Sequence, residues 1–385
     1  MLINATWSLD LAGALRKILW FGLAVVMAFG ASRAVSSWGQ GEIRVAGIAF
    51  LAGATAGLAF ILFELATGQA LTRLLFNALQ VTRPDSLKTM RVQNGQVVAI
   101  AAFELNRNVA VMLLMLWSAL LCLSRLTDRG RRTLGITALF AAAAVVIMLS
   151  EHETSKIGFV VATVAFLVAW RWPTLARRGM LVAWCLAFVL VVPLSTLAVK
   201  EQLHQAEWLP YSARSRITLW AYTAEKIPET PFFGIGLGST RTLNAKQKLE
   251  GDQKVMVDPM QQGRRVLVWK AGPHSHNEFL QTWYELGAVG VLLLLAAGCA
   301  VIGYIGRLSP ATQPFVLAQF AAFFVIAAFS WGMWQSWLIA VTGLAAIYAA
   351  SAVTFARAGV RVADELAVEF TLPVKPHLAS DERPA

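Results

Sequence analysis

Two histidines lie close together in a polar segment that precedes a long apolar run. His274 and His276 are two of only five histidines in the 385-residue chain. An imidazole with its ordinary pKa of about 6.5 accepts a proton near neutral pH, so His276 is the candidate general base of a proton-transfer reaction. His274 could orient that base or bind an acceptor, and a merely structural role is an equal alternative.

The residues around His276 predict how it is held. Ser275 and Glu278 have the spacing of a capping box, which predicts that His276 lies in the first turn of a helix. Gly287 and Gly290 would then fall on the same stripe of that helix and let a second helix pack beneath the imidazole. The positive end of the helix would keep the ring neutral. The alternative is a polar helix cap with two histidines at the membrane interface.

Composition predicts an all-α integral membrane protein. The chain is 57% hydrophobic and 14% charged, and its mean hydropathy is +0.60. Apolar runs that are long enough to span a membrane predict about nine transmembrane helices, near residues 18–35, 45–65, 108–126, 133–150, 155–172, 180–199, 286–306, 314–331 and 335–354.

Arginines in the short loops predict the orientation of these helices. They cluster at residues 125–132 and 171–178, and they recur after the seventh and ninth predicted spans. The positive-inside rule places these loops in the cytoplasm, so the N-terminus and the long loops 66–107 and 200–275 are expected to face outward. Basic residues in an outward loop favour a lipid-linked phosphate as partner over nucleic acid.

The same pattern predicts four parts of the chain. Residues 1–199 form an N-terminal bundle of six membrane helices, and residues 276–355 form three more. Between them, residues 200–275 form one large outward helical loop, and residues 356–385 form a disordered cytoplasmic tail. Leucines at helical spacing predict an interfacial helix within the smaller outward loop, residues 66–107.

A glycine-rich turn follows a predicted helix in the large loop. Residues 217–227 have an apolar helical face that is preceded by Arg214 and Arg216, and Gly234 and Gly236 follow it. A nucleotide-binding fingerprint needs a strand before its glycines, and the pattern here does not predict one. A turn that brings backbone amides near the membrane surface is the better interpretation.

Three landmarks in this order resemble the O-antigen ligase and polymerase superfamily, over about residues 100–355. The matching segments are residues 150–156, 216–220 with 231–236, and 276–277 with 287–290. The last resembles the signature histidine motif of the family, in which Asn277 follows the histidine. The first carries Lys156 where many members have arginine, which keeps the charge but loses the bidentate geometry.

The resemblance implies a metal-independent, inverting membrane glycosyltransferase without a cofactor. Such an enzyme transfers a glycan from undecaprenyl pyrophosphate to an acceptor hydroxyl on lipid A–core or another glycan, in lipopolysaccharide biosynthesis. It implies a multi-pass protein of the bacterial inner membrane whose active site faces the periplasm among membrane lipids. His276 is the implied base.

Cations of the outward segments are the candidates for holding the diphosphate. Arg216 and Lys156 are the first choices, because the leaving pyrophosphate gains charge as the glycosidic bond breaks. Arg214 competes with Arg216, and Arg265 is a weaker candidate; a solvated charge or a lipid contact is the alternative for each. A divalent ion held by residues 151–153 and the two histidines is a minor alternative.

Other functions are compatible with these motifs. An O-antigen or exopolysaccharide polymerase shares the same chemistry, and a protein O-glycosyltransferase is a rarer variant. The non-enzymatic alternatives are a polysaccharide transporter and an inactive truncated paralogue. A transporter would place ionisable residues deep within several spans, and the predicted spans are nearly free of them.

The N-terminal residues suggest a comparison with longer relatives. Residues 7–10 resemble a segment that follows roughly the third helix of full-length family members. The chain is therefore expected to lack about three N-terminal helices, and a genuine nine-helix protein is the alternative. Arg16 and Lys17 conflict with an outward N-terminus, and three further helices would return the start of the chain to the cytoplasm.

Overall fold

The computed structural model describes residues 1–80, 89–126, 128–252, 254–257 and 266–358. The helices of these residues are α1 (Leu2–Ala5), α2 (Leu11–Ser36), α3 (Gln40–Thr67), α4 (Ala70–Ala78), α5 (Asn106–Leu123), α6 (Arg129–Leu149), α7 (Glu153–Arg171), α8 (Pro173–Lys200), α9 (Tyr211–Lys226), α10 (Ser239–Glu250), α11 (Glu278–Ile305), α12 (Gln313–Phe329) and α13 (Ser336–Ala358). Two antiparallel hairpins pair β1 (Met90–Gln93) with β2 (Gln96–Ile100) and β3 (Lys254–Val257) with β4 (Val266–Trp269).

The prediction of an all-α membrane protein is confirmed. Eight helices of the described residues are long and apolar enough to cross a membrane, and α12 adds a shorter apolar helix of 17 residues. These helices correspond to the nine predicted spans, except that α2, α8 and α11 begin at Leu11, Pro173 and Glu278 instead of near residues 18, 180 and 286. The helix expected in the first long loop is α4, and the hairpins of both long loops were not predicted.

Helix α5 forms the centre of the bundle. Of the 18-residue apolar stretch that defines each span, 72% is buried in α5, against 6–33% in the other seven spans. Ser118 of α5 donates a hydrogen bond to the side chain of Gln319 in α12, which donates in turn to the Ala345 carbonyl of α13 at 3.0 Å. Because an apolar interior offers no water as partner, these bonds fix the three helices relative to one another.

Aromatic side chains hold the beginning of α11. Phe279 is buried against Trp184 and Phe188 of α8, with ring centroids 5.3 and 4.9 Å away. Trp283 donates its indole hydrogen to the Phe188 carbonyl at 2.8 Å. Since Phe279 follows His276 by three residues, these contacts anchor the backbone from which the histidine segment extends.

Residues 231–239, which we call the glycine strap, connect the large loop to the membrane helices. Gly234, Gly236 and Gly238 have φ angles of 67°, 99° and 75°, in a region that other residues rarely adopt. The predicted glycine-rich turn is thus a run of alternating left-handed residues. Glycine is needed at each of the three positions for its backbone conformation alone.

Close packing gives each strap glycine a second constraint. A Cβ on Gly234 would lie 2.4 Å from the backbone carbon of Glu285. A Cβ on Gly236 would lie 2.6 Å from the Cα of Ser8. A Cβ on Gly238 would lie 2.5 Å from the ammonium nitrogen of Lys17. The strap therefore packs at backbone distance against α11 and the N-terminal segment.

Helix α11 is broken where the strap docks. Gly287 has φ 64° and ψ −164°, and a Cβ there would lie 2.4 Å from the backbone carbon of Phe232. The amides of Ala288 and Val289 donate to the carbonyls of Pro231 and Phe232 at 2.9 and 3.2 Å. Backbone amides released by the break thus find partners in the strap, as a buried backbone requires.

This break corrects the predicted role of the α11 glycines. Gly287 contacts the strap instead of a second helix, and a Cβ on Gly290 would meet the Leu286 side chain of its own helix at 2.2 Å. The prediction projected both glycines onto one stripe by assuming a continuous helix. Because the helix is interrupted, neither glycine lies beneath the imidazole of His276.

We expect Gly287→Ala to destabilise the protein by at least about 2 kcal/mol, because a non-glycine left-handed residue and a displaced strap backbone are each costly. Gly303→Ala is the matched control on the same helix, since a Cβ there meets nothing within 4 Å. Thermal unfolding of the purified proteins in detergent compares them. Equal melting temperatures for the two variants would contradict the docking of the strap.

Candidate active site

The site forms around the C-terminal end of α12. The last carbonyls of an α-helix have no partner within the helix. Here the Phe329 carbonyl accepts hydrogen bonds from the Arg216 guanidinium at 2.7 Å and from the Thr154 hydroxyl at 3.3 Å. The following carbonyl, of Ser330, accepts from Nδ1 of His276. The end of α12 thus brings together His276, the predicted base, and Arg216, a residue predicted to bind the diphosphate.

His276 lies before α11 and not within its first turn. The helix begins at Glu278, and Asn277 caps it by accepting from the Leu280 amide at 2.9 Å. The predicted capping box is therefore wrong, since the Ser275 hydroxyl donates to the Asn277 carbonyl at 2.6 Å. His276 itself has φ 56°, a left-handed conformation that costs a bulky residue about 1–2 kcal/mol. This turn directs the ring toward the end of α12.

The bond to Ser330 sets the tautomer of His276. A carbonyl oxygen only accepts hydrogen bonds, so Nδ1 must carry the hydrogen. In the neutral ring the lone pair is then on Nε2. The two nitrogens lie on opposite flanks of an imidazole, so the basic nitrogen faces away from the end of α12.

His274 packs directly against His276. Their ring centroids are 4.0 Å apart, with an angle of 67° between the ring planes. On its other side, a Cβ added to Gly332 would lie 2.5 Å from the Cβ of His274. His274 is therefore held between the candidate base and the segment that connects α12 to α13. This position suits a residue that orients His276.

A third histidine, His152, links α7 to the same place. Its Nδ1 lies 2.6 Å from the Ser155 hydroxyl, and its Nε2 lies 3.0 Å from the Ser330 hydroxyl. The predicted metal alternative placed this histidine among three ligands at residues 151–153. Here both ring nitrogens contact hydroxyl groups, and Glu153 pairs with Lys156. Within the described part of the chain, no three His, Cys, Asp or Glu side chains are grouped so that they could hold a metal ion.

Burial keeps these imidazoles uncharged. Burial and the nearby Arg216 cation lower the pKa of His152 to about 4. Burial, Arg216 and Arg241 lower the pKa of His274 to about 4 as well. Burial acts most strongly on His276, followed by His274 and Arg216, and the pKa of this imidazole falls to about 3. All three rings are therefore neutral at pH 7.

The predicted cations differ in how they meet the site. Arg216 is half-buried, and although burial lowers its pKa, a guanidinium stays charged; its bond to the α12 carbonyl needs only one of five N–H donors. Arg214 lies two residues before Arg216 on α9, about half a helical turn away, and its side chain is buried, with 4% exposed. Lys156, in the first turn of α7, has its ammonium 2.8 Å from Glu153. Arg265 lies outside the described residues.

Helix ends add to the positive potential of the site. His152 and Asn277 are the N-terminal caps of α7 and α11, so the N-termini of both helices point at the histidine cluster. The N-terminus of a helix carries a partial positive charge and exposes amide donors. Together with Arg216, these helix ends favour an anionic ligand.

A buried carboxylate that the sequence analysis missed ties the strap to the site. Glu285 is fully buried and accepts from the amides of Gly238 and Thr240 at 2.9 and 3.1 Å and from the indole of Trp334. Trp334 belongs to the segment that starts with Ser330, so Glu285 joins the strap to the histidine cluster. A carboxylate two turns inside an apolar helix was the signal that could have identified it.

We expect the neutral histidines to make stability depend on pH. Between pH 6.5 and about 3 the unfolded chain binds protons that the folded chain does not, so stability falls as the pH is lowered through this window. Lowering the pH from 7 to 5 should cost on the order of 1 kcal/mol for each imidazole. A His274→Asn/His276→Asn variant should lose less stability than wild type, as measured by thermal unfolding at both pH values. Equal losses would contradict the buried neutral state.

Comparisons with known proteins show which family part of the chain resembles. Residues 138–295 match the sequence model of the O-antigen ligase family. A protein of Rickettsia conorii is 27% identical over 248 residues, which are 63% of this chain and 56% of that protein. One of Rickettsia felis is 23% identical over 244 residues, 62% of this chain and 55% of that protein. Both carry the name "Putative polysaccharide ligase", and the chain spans about half the length of the curated relatives it matches.

The matched region contains all three histidines of the site. Residues 138–295 include His152 on α7, Arg216 on α9, and His274 and His276 before α11, whereas Ser330 lies beyond it. The resemblance drawn from the histidine motif is thereby confirmed. Over these residues the chain is similar to membrane proteins of the O-antigen ligase family.

Proposed function

We propose that this protein transfers a glycan from undecaprenyl pyrophosphate to an acceptor hydroxyl, as a ligase that attaches the glycan to lipid A–core. The observation that carries the proposal is His276, whose Nδ1 is fixed by a helix-terminal carbonyl while the adjacent carbonyl holds Arg216. This arrangement places a base of defined tautomer beside a cation. The name of the relatives favours a ligase over a polymerase.

His276 would act on the acceptor. Its Nε2 takes the proton of the acceptor hydroxyl while the oxygen attacks the anomeric carbon of the donor sugar. The bond between that carbon and the diphosphate oxygen breaks, and the diphosphate leaves with the electron pair. Because the departing group is already stable as an anion, one displacement suffices, and the anomeric carbon is inverted.

Arg216 and the helix N-termini would act on the donor. The diphosphate gains negative charge as it leaves, and a guanidinium with unused donors stabilises that charge in a bidentate manner. Arg216 also lowers the pKa of His276, after burial and His274. An anionic donor beside Arg216 offsets this effect, so donor binding raises the basicity of the imidazole. We place the reaction on the periplasmic side of the inner membrane.

We expect His276→Ala to lower kcat by about 10²–10⁴-fold, the usual contribution of a positioned general base. The assay follows glycan transfer from a polyprenyl diphosphate donor to lipid A–core by the purified protein. His204→Ala removes another buried histidine of the same long loop and serves as the control, with activity close to wild type. Full activity of the His276→Ala protein would remove the assigned base.

We expect Arg216→Ala to weaken donor use more than Arg216→Lys, because lysine keeps the charge but not the planar fork. The expected losses in kcat/KM are about 100-fold and about 10-fold. Arg171→Ala, which changes an arginine at the opposite end of α7, is the control. Equal losses for alanine and lysine would show that charge alone matters.

We expect kcat/KM to stay constant from pH 8 down to about pH 5 and to fall below it. The pKa values of the free protein's histidines, about 3 and about 4, place the acid limb well under the ordinary histidine value. Initial rates at low donor concentration across this range measure the profile. An acid limb with its midpoint near pH 6.5 would contradict the buried base.

A further inference from the structure

A strip of aromatic rings and one guanidinium leads away from the histidine cluster. The Trp331 ring lies against His152, with centroids 4.6 Å apart and planes at 30°. Trp337 meets Trp331 edge to face, with centroids 4.7 Å apart. The guanidinium of Arg107 lies over the Trp337 ring, 5.4 Å from its centroid. We call Trp331, Trp337 and Arg107 the aromatic strip.

The aromatic strip lies on the side of the membrane that carries the site. Trp337 is in the first turn of α13, and Arg107 is in the first turn of α5, so both stand near helix N-termini, as the histidines do. Both indole rings are half-buried, and Arg107 is exposed. Among the residues that the structure describes, Arg107 has a cation–π contact and no ion pair. The strip is therefore accessible and carries a charge.

The chemistry of the strip suits a sugar chain. A pyranose ring presents C–H groups on its faces, which pack against flat aromatic rings, and hydroxyl groups at its edge, which accept hydrogen bonds from a guanidinium. Sites of this kind combine apolar aromatic surface with a few polar groups that fix orientation. A purely hydrocarbon ligand that covered the strip would displace water from the guanidinium without replacing its hydrogen bonds.

The direction in which the basic Nε2 of His276 points indicates which substrate the aromatic strip would bind. The basic nitrogen of His276 faces away from Ser330, so the acceptor hydroxyl approaches from that far side. Trp331 follows Ser330 in the chain and stacks on the histidine that contacts the Ser330 hydroxyl. The strip thus begins next to Ser330, the residue that binds Nδ1, and we assign this side to the donor.

We propose that the aromatic strip binds the sugar rings of the lipid-linked donor glycan, with Trp337 as its main contact. This inference rests on the proposed glycosyl transfer and names a second part of the same donor site. The diphosphate is held near Arg216, and the glycan extends over Trp331 toward Trp337 and Arg107. Sugar recognition is thereby separated from phosphate recognition.

Two binding probes separate these contributions. One is a polyprenyl diphosphate that carries a trisaccharide of neutral and N-acetylated hexoses, and the other is the same lipid without sugar. The full chain in nanodiscs should bind the sugar-bearing lipid more tightly. Trp337→Ala should weaken binding of that probe about tenfold and leave binding of the sugar-free lipid unchanged, and Trp337→Phe should restore most of the loss.

The opposite membrane face supplies a matched control. Arg171 lies over the Trp172 ring at 5.3 Å, so this pair reproduces the Arg107–Trp337 contact at the far end of α7. Trp172→Ala should change the affinity for neither probe. Thermal unfolding of each variant confirms that it is folded, and Trp337→Leu, which removes the flat ring but keeps an apolar side chain, serves as the test if Trp337→Ala is unstable, with the same expected loss of about tenfold.

The outcomes distinguish the two proposals. Equal weakening of both probes by Trp337→Ala, or the same effect from Trp172→Ala, would overturn the glycan role of the strip. A wild-type protein that binds both probes equally would overturn it as well. If Arg216→Ala left the affinity for the sugar-free lipid unchanged, the diphosphate assignment would fail, while a sugar-dependent loss in Trp337→Ala would still support the strip.

Discussion

The site depends on the carbonyl groups that α12 leaves unpaired where it ends. Near a membrane such groups cannot rely on water, so side chains must satisfy them. The Phe329 carbonyl takes a guanidinium, and the Ser330 carbonyl takes the Nδ1 hydrogen of an imidazole. One structural requirement thus brings a cation and a base together and fixes the tautomer of the base. A helix that continued past Phe329 would offer neither group a partner.

Backbone docking of the glycine strap holds the large loop against this helix end. Residues 231–239 enter the break at Gly287 and are fixed there by amide–carbonyl bonds, while Glu285 joins the strap to Trp334. Arg216 belongs to the loop, and the histidines belong to the segment before α11. Their relative positions therefore depend on contacts between two backbones that only glycine permits.

Sequence reasoning predicted what periodicity and residue type encode. The long apolar runs predicted the nine long apolar helices of the described residues. The scarcity of histidines singled out His276 and His274, which the structure places in contact. It failed where the deciding group was a backbone atom or a local conformation. The carbonyls of Phe329 and Ser330 have no residue-type signal, and the left-handed turn at His276 overrode the capping box. Helical spacing predicted that Gly287 faces a second helix, although its backbone conformation breaks α11.

The state of the His276 ring tests the account most directly. Nitrogen-15 NMR of histidine-labelled protein in nanodiscs at pH 6 resolves protonation and tautomer, and the signal lost in His276→Asn assigns the resonance. The account predicts a neutral ring with hydrogen on Nδ1, even at a pH where an exposed histidine is mostly charged. An imidazolium, or a neutral ring with its hydrogen on Nε2, would contradict it.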